Sequence, residues 1–240
     1  MIQPHEHHRV PAADTSLWRY MDFAKLVEIL DDRQLFFVRS DLFDDPYEGQ
    51  WSEAGMAVMN EGLPPGVQMA RKTAGLDKRK GVFASCWHMS NFESAAMWQL
   101  YSQSSQAIAI QCRYGALAEA LNCSDRGMYA SKVFYSDYTK NPIALWQGGT
   151  FPFFNKRESF EHEKEFRVLI STYGMDREGR LLPDEQHAIG VPIDPAALFE
   201  NIFVHPRAPK WFGALVRRVA SRYQLKVPIV DSELYARPLR

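Results

Sequence analysis

Residues 160–170 read FEHEKEFRVLI, a dense group of titratable side chains followed at once by an apolar run. The apolar run predicts a β-strand. Side-chain alternation along that strand puts Glu165 and Arg167 on one face and Phe166 and Val168 on the other. Glu163 shares the face of Glu165 only if the strand extends back by two residues. The stretch therefore predicts a strand that presents an E-x-E pair of carboxylates at a sheet edge.

The same stretch supports a second interpretation. Lys164 and Arg167 are close enough in sequence to neutralise the glutamates, as happens at the salt-bridged end of a helix. In that case the charges are structural and present nothing to a ligand. The residues themselves leave both interpretations open.

Short strand-like and helix-like segments alternate along the rest of the chain without a steady βαβ rhythm. This pattern predicts an α+β fold with a mixed, largely antiparallel sheet and flanking helices. Residues 1–16 are polar and His-rich and predict a loose tail, and residues 17–240 predict a single domain. Residues 151–164 predict a helix. The Pro, Gly and basic residues of 64–80 predict a long mobile loop.

The composition excludes several classes of protein. A hydrophobic fraction of 46% among 240 residues is enough for a packed core and argues against disorder. A net charge of -1 gives no bulk attraction to nucleic acid or acidic membranes, although it allows a local basic patch. Three cysteines, no apolar leader and no long apolar run predict a cytoplasmic protein without membrane spans. Neither a metal site nor an oligomeric state is indicated.

Two other groups of residues are weaker candidates for chemistry. Cys86 and His88 share a strand face, as a thiol nucleophile and its base would, but no further ligand or orienting group accompanies them. Asp44, Asp45 and Glu48 lie in DDPYEG, where a tight turn explains them better than a cation site does. Glycine-rich phosphate-binding motifs are absent from the sequence.

Several blocks together resemble a bacterial family known as domain of unknown function 2971. They are LWRYMDF, LFFVRSDLFDDPYEG, SCWHMSNFESAAMWQLYS, KRESFEHEKEFRVLI, NIFVHPRAP and DSELY. The resemblance runs from about residue 17 to the end of the chain and implies no established activity.

A fainter resemblance is to the ADP-ribosyltransferase fold, whose pattern is an early Arg, a middle Ser and a late E-x-E. Arg19, Ser85 and the pair Glu163 and Glu165 match that order, although Trp87 stands where the group's S-T-S triplet would be. The resemblance implies an NAD-using transferase or glycohydrolase, an effector or phage-defence toxin, that takes NAD as substrate and holds no cofactor tightly.

The same resemblance implies a role for each matching residue. Glu165 is the catalytic carboxylate, Glu163 its partner and Ser85 a hydrogen-bonding support. The nucleotide-binding residues are Arg19, Tyr20, Phe37 and Trp87.

The alternative is a non-catalytic nucleotide- or partner-binding module. Lys156, Arg157 and Arg167 then form a basic rim in which the glutamates are salt-bridge partners. Three tryptophans, Trp98, Trp146 and Trp211, would be core or interface anchors.

Overall fold

The computed structural model describes residues 1–102, 104–142, 149–172, 174–176, 179–180 and 182–236, and for residues 71–77 the backbone alone. The chain divides into two compact units. The first unit comprises Met1–Val10, Phe36–Cys86 and Asp125–Gly190. The second unit comprises Pro11–Leu35, Trp87–Ser124 and Val191–Arg240.

Strands and helices are interleaved along the chain. The strands are β1 Ser16–Asp22, β2 Gln34–Arg39, β3 Val82–Met89, β4 Ala107–Arg113, β5 Tyr129–Lys132, β6 Phe134–Ser136, β7 Asn155–Arg157, β8 Glu165–Ser171, β9 Ala188–Pro192, β10 Asn201–Val204 and β11 Ile229–Asp231. The helices are α1 Phe23–Asp32, α2 Glu53–Asn60, α3 Pro65–Lys78, α4 Ala95–Tyr101, α5 Tyr114–Asn122, α6 Pro195–Leu198 and α7 Lys210–Arg222. Most strand pairs are antiparallel, and β10–β11 and β6–β7 are parallel. The predicted α+β class with a largely antiparallel sheet is confirmed.

In the first unit, β8 pairs in antiparallel register with β5, and β2 pairs with the first half of β3. An apolar cluster of Val82, Ala84, Phe153, Phe154 and Leu169 packs beside these strands. Burial of a Val, Leu or Phe side chain contributes about 1.5–3 kcal/mol. The strands that carry the charged residues of this unit are therefore held on an apolar base.

In the second unit the strand order is β11, β10, β4 and β1, and the last residues of β3 pair with β1. Its core includes Trp18, Tyr20, Met97 and Trp98. Helix α7 buries Phe212, Val216 and Ala220, which recur at spacings of four and so share one face.

Two sequence-based expectations of secondary structure are wrong. Residues 151–164 do not form one α-helix, because two 3-10 helices, Phe151–Phe154 and Glu158–Glu163, flank β7, which pairs with β6. This strand pairing overrides the helical propensity of the segment. Residues 64–80 are not a loop, because α3 begins at Pro65. Proline is well tolerated at the first helical position, where its missing N–H leaves no bond unmade.

The N-terminal residues have contacts within the first unit. Ile2 forms a β-bridge with Met128, and the backbone N–H of Lys132 donates to the carbonyl oxygen of Arg9 at 2.7 Å. The predictions of a loose tail over residues 1–16 and of one domain over residues 17–240 stay predictions. None of the helices in the described part of the chain has both the length and the apolar character that a membrane span requires.

Candidate functional site

Five buried charged residues of the first unit meet in one group, called here the charged cluster: Glu48, Lys156, Glu163, Glu165 and Arg167. Each is between 1% and 6% exposed. Glu165 and Arg167 lie on β8 and Lys156 on β7. Glu163 ends a 3-10 helix, and Glu48 comes from the turn that follows β2. Three carboxylates and two cations are thus removed from water together.

Arg167 holds two of the three carboxylates. Its Nε donates to Oε1 of Glu165 at 2.6 Å and its Nη2 to Oε2 at 2.8 Å, which is the bidentate arrangement of a strong ion pair. Nη2 also contacts Oε2 of Glu48, and Nη1 donates to the carbonyl oxygen of Phe153 at 2.8 Å. The guanidinium lies over the ring of Phe43, 5.5 Å from its centroid. Arg167 is therefore fixed on every side.

Lys156 contacts all three carboxylates. Its Nζ lies 3.1 Å from Oε1 of Glu48, 2.5 Å from Oε2 of Glu163 and 3.4 Å from Oε2 of Glu165. The ammonium also lies 4.9 Å from the centroid of the Phe160 ring. The two glutamates of the E-x-E pair consequently meet at one ammonium nitrogen, although β8 begins only at Glu165.

A second ion pair borders the charged cluster. Nη2 of Arg157 donates to Oδ1 of Asp45 at 2.9 Å, and the carboxylate of Asp45 is almost fully buried. The Arg157 guanidinium lies 4.4 Å from the centroid of the Tyr47 ring. Because Asp45 also accepts from the backbone N–H of Tyr47 at 3.0 Å, the turn and the ion pair support one another.

The two glutamates of the E-x-E pair have pKa values shifted in opposite directions. Burial works to raise the pKa of Glu165, but Arg167 and Lys156 outweigh it and hold the pKa at about 2. For Glu163, burial is the largest influence and raises the pKa above its usual value, against the opposing effect of Lys156. Two carboxyl groups with different proton affinities thus share one cation, a combination from which acid–base chemistry is often built.

Three neutral polar side chains lie beside the charged cluster. The Cys86 thiol hydrogen bonds to Glu165, and burial together with the Glu165 charge raises the pKa of that thiol well above its usual value. The Tyr135 hydroxyl accepts from the backbone N–H of Glu165 at 2.8 Å. The Tyr138 hydroxyl is buried, and within the described residues it has no hydrogen-bond partner.

The predicted site residues are divided between the two units. Ser85 and Phe37 belong to the first unit with the two glutamates, and both are fully buried. Arg19, Tyr20 and Trp87 belong to the second unit. There the Arg19 guanidinium lies 5.8 Å from the centroid of the Trp87 ring, and the Tyr20 hydroxyl accepts from the backbone N–H of Ser94 at 2.9 Å. The ligand-binding and catalytic roles of these residues stay predictions.

Glu48, Lys156 and Arg167 are the members of the charged cluster to which the sequence assigns no catalytic or nucleotide-binding role. Glu48 is predicted to be part of a turn, and that turn exists, since Gly49 has a φ of +72° and Phe153 packs against it. The Glu48 side chain nevertheless extends from the turn and contacts Lys156 and Arg167. Lys156 is predicted only as part of a basic rim, and Arg167 as part of that rim or as a salt-bridge partner of the glutamates. Glu48 and Lys156 lie in the blocks LFFVRSDLFDDPYEG and KRESFEHEKEFRVLI, and that position is the sequence signal for both residues.

The structure also bears on the weaker candidates for chemistry and on the three tryptophans. The raised pKa of Cys86 keeps its thiol protonated, which opposes a role as nucleophile. Within the described residues no group of three or more His, Cys, Asp or Glu side chains has the arrangement of a metal site. Trp98 is buried and Trp211 is 54% exposed, whereas Trp146 lies outside the described residues.

No protein-family model and no curated protein sequence matches the chain. The resemblance to domain of unknown function 2971 is therefore not confirmed. Two solved structures of DarT from Thermus sp. 2.9 align over most of the chain at 9% identity. The complex with ADP-ribosylated ssDNA covers 94% of this chain and 98% of its own, with a TM-score of 0.44. The alignment with the NAD+ complex covers 93% of this chain and 97% of the DarT chain, with a TM-score of 0.42. TM-scores below 0.5 assign neither a fold nor a function.

Proposed function

We propose that the charged cluster cleaves the nicotinamide–ribose bond of NAD, so that the protein is an ADP-ribosyltransferase or an NAD glycohydrolase. The observation that supports this proposal is the meeting of Glu163 and Glu165 at the Lys156 ammonium, with their pKa values shifted in opposite directions. Enzymes that cleave glycosidic bonds use two carboxyl groups in different protonation states.

The chemistry assigns each glutamate a task. As the bond between ribose C1′ and the pyridinium nitrogen breaks, nicotinamide leaves with the electron pair and C1′ becomes oxocarbenium-like. The ionised Glu165 stabilises that positive charge. Water or an acceptor nucleophile then bonds to C1′, and its proton passes to Glu163, whose raised pKa favours accepting it. Lys156 and Arg167 hold both carboxylates in place.

The free energy that is needed to bury five charged side chains supports a functional role for the charged cluster. Removing an ion from water costs several kcal/mol even in a real protein, and a buried ion pair is often no more stabilising than apolar residues of similar volume. Five such residues in one place are therefore not explained by stability alone. Strongly perturbed ionisable groups are concentrated at functional sites.

A second candidate function is the non-catalytic binding module. The observation that favours it is the completeness of the ion pairing, because each of the three buried carboxylates already contacts Lys156 or Arg167. On this view the charged cluster is a structural connection between β7, β8 and the turn at Glu48, and any ligand binds without reaction.

Nicotinamide release separates the two candidates. Purified protein is incubated with NAD, with and without nucleophilic acceptors, and free nicotinamide is quantified by chromatography. We expect release by the unaltered protein and a loss of about 10²–10³-fold in rate for Glu165→Gln, as when one electrostatic stabiliser is removed from an active site. Glu161→Gln is the matched control, since Glu161 is exposed and belongs to the same segment.

Two outcomes would contradict the enzymatic proposal. One is no nicotinamide release by the unaltered protein under any acceptor condition. The other is equal release by the Glu165→Gln and Glu161→Gln proteins, both checked for folding by circular dichroism. An NAD-dependent rise in melting temperature without release would support the binding module, because a ligand that binds only the folded state stabilises it.

A further inference from the structure

The charge of the chain is divided very unevenly along the sequence. Residues 207–240 contain eight Lys and Arg against two Asp and Glu, a net charge of +6. Residues 1–206 contain twenty Lys and Arg against twenty-seven Asp and Glu, a net charge of -7. The overall balance of -1 hides this separation. A strongly basic segment in an otherwise acidic chain is typical of a surface that binds a polyanion.

Helix α7 gives the basic segment a defined shape within the second unit. Its apolar face is already occupied, because Phe212, Val216 and Ala220 are buried. Trp211, Arg218 and Arg222 are exposed, and their spacings of seven and four residues place them along one outward-facing stripe. At 1.5 Å per residue this stripe is about 16 Å long.

Three cations of α7 are available to a ligand, namely Arg218 and Arg222 on the stripe and Lys210 at the first residue of the helix. Arg217 pairs with Asp231 at 2.7 Å. By contrast, Lys210, Arg218 and Arg222 have no carboxylate within ion-pair distance among the residues that the structure describes. Trp211 is 54% exposed although it is a large apolar side chain. Near the start of the helix, the Arg207 guanidinium lies 4.6 Å from the centroid of the half-exposed Tyr235 ring.

We propose that the exposed face of α7 binds single-stranded nucleic acid. The phosphates of a strand pair with Arg218, Arg222 and Lys210, and an unpaired base stacks on Trp211. A duplex has no free base to stack there. A membrane is disfavoured because an amphipathic helix enters lipid through its apolar face, which α7 has committed to the protein core. An acidic peptide would use the cations but not the flat face of the indole.

This surface is independent of the proposed NAD chemistry. All residues that form it belong to the second unit, whereas the charged cluster belongs to the first. Binding of an oligonucleotide is measurable without NAD and without turnover. Failure of one proposal therefore does not remove the other.

Fluorescence anisotropy with labelled 20-nucleotide DNA and RNA tests the proposal across a series of salt concentrations. We expect binding at 50 mM salt that weakens as the salt concentration rises. A plot of the logarithm of the binding constant against the logarithm of the salt concentration should have a slope of about -0.7 for each phosphate contact. Replacing Arg218 and Arg222 together by Glu should make the slope less negative by about 1.4, because two phosphate contacts are lost. The same double substitution should weaken binding at least tenfold. Trp211→Ala should weaken binding about tenfold, and Trp211→Phe should restore most of it.

A matched control is Lys140→Glu combined with Arg180→Glu, which changes the net charge by the same amount at two exposed positions in the first unit. This pair should leave oligonucleotide binding unchanged. The proposal is overturned if no oligonucleotide binds at 50 mM salt, or if the control pair weakens binding as much as the α7 pair does. Equal affinity for duplex DNA or for polyglutamate would also overturn it.

Discussion

Arg167 donates two hydrogen bonds to Glu165, from Nε at 2.6 Å and from Nη2 at 2.8 Å, and both side chains are almost completely buried. The two residues are alternate positions of β8 and therefore share one face of the strand. With exposed fractions of only 4% and 1%, neither charge is hydrated enough to compensate for loss of the other. Removing only one of the two charges should therefore destabilise the first unit more than replacing both residues together does.

Removing only the cation of that pair should be strongly destabilising. Arg167→Met leaves Glu165 and Glu48 buried with Lys156 as their only remaining cation in the charged cluster, and we expect the free energy of unfolding to fall by about 3–5 kcal/mol. The measurement is urea denaturation followed by circular dichroism. The control is Arg180→Met, which breaks the exposed pair with Asp176 and should cost no more than about 1 kcal/mol. Equal effects of the two substitutions would show that the buried pair has no special weight.

Acid should weaken the protein through Glu165. Its pKa is held at about 2 in the folded protein, below its usual value of 4.5, so its stabilising contribution is present above pH 5 and is lost as pH falls toward 2. The shift corresponds to about 3 kcal/mol. Unfolding free energies measured from pH 7 to pH 2.5 should decline more steeply for the unaltered protein than for the Glu165→Gln, Arg167→Met double variant. Parallel profiles would contradict this assignment.

Glu163 should act in the opposite direction. Its pKa is raised in the folded protein, so the folded state binds this proton more tightly than the unfolded state does. Ionised Glu163 therefore lowers the stability at neutral pH, and this effect is relieved as pH falls through its folded-state pKa. The unfolding free energy of Glu163→Gln minus that of the unaltered protein should therefore be largest at neutral pH and should shrink as pH falls through the folded-state pKa of Glu163. A difference that grows as pH falls would reverse the sign assigned here.

Part of the candidate site was predictable from the sequence because strand periodicity is local. Alternation along residues 165–170 placed Glu165 and Arg167 on one face, and the structure shows them paired. The position of Glu163 was not predictable in the same way, because it depended on an extension of the strand that does not occur. Lys164 instead takes a left-handed conformation with a φ of 41°, and the chain turns there.

The remainder of the charged cluster depends on contacts that are distant in sequence. Glu48 lies more than a hundred positions before Lys156, and a turn-forming composition around it was sufficient to explain its presence. The segment of residues 151–164 has helical propensity, but its central residues pair with β6 instead. Local propensity is overridden where tertiary pairing offers backbone groups a better set of partners. The overall α+β class was predictable because it needs only the order of apolar and polar segments.

Cysteine labelling should follow exposure and the raised pKa of Cys86. Cys123 is exposed, Cys112 is buried, and the thiol of Cys86 is kept protonated beside Glu165. Because the thiolate is the reactive form, iodoacetamide at pH 8 should modify Cys123 first and leave Cys86 unmodified in the folded protein. Mass spectrometry of tryptic peptides gives the order. Modification of Cys86 as fast as Cys123 would support the nucleophile interpretation that the structure disfavours.

Two tyrosines beside the charged cluster offer a matched test of hydrogen bonding. The Tyr135 hydroxyl accepts from the backbone N–H of Glu165, whereas the buried Tyr138 hydroxyl has no hydrogen-bond partner within the described residues. Tyr135→Phe leaves the N–H of Glu165 unsatisfied and should lower the free energy of unfolding by about 1–3 kcal/mol. Tyr138→Phe removes a hydroxyl that is buried without compensation, so it should be neutral or stabilising. Urea denaturation of both variants decides the point, and destabilisation of equal size would mean that Tyr138 has a partner in solution, such as an ordered water.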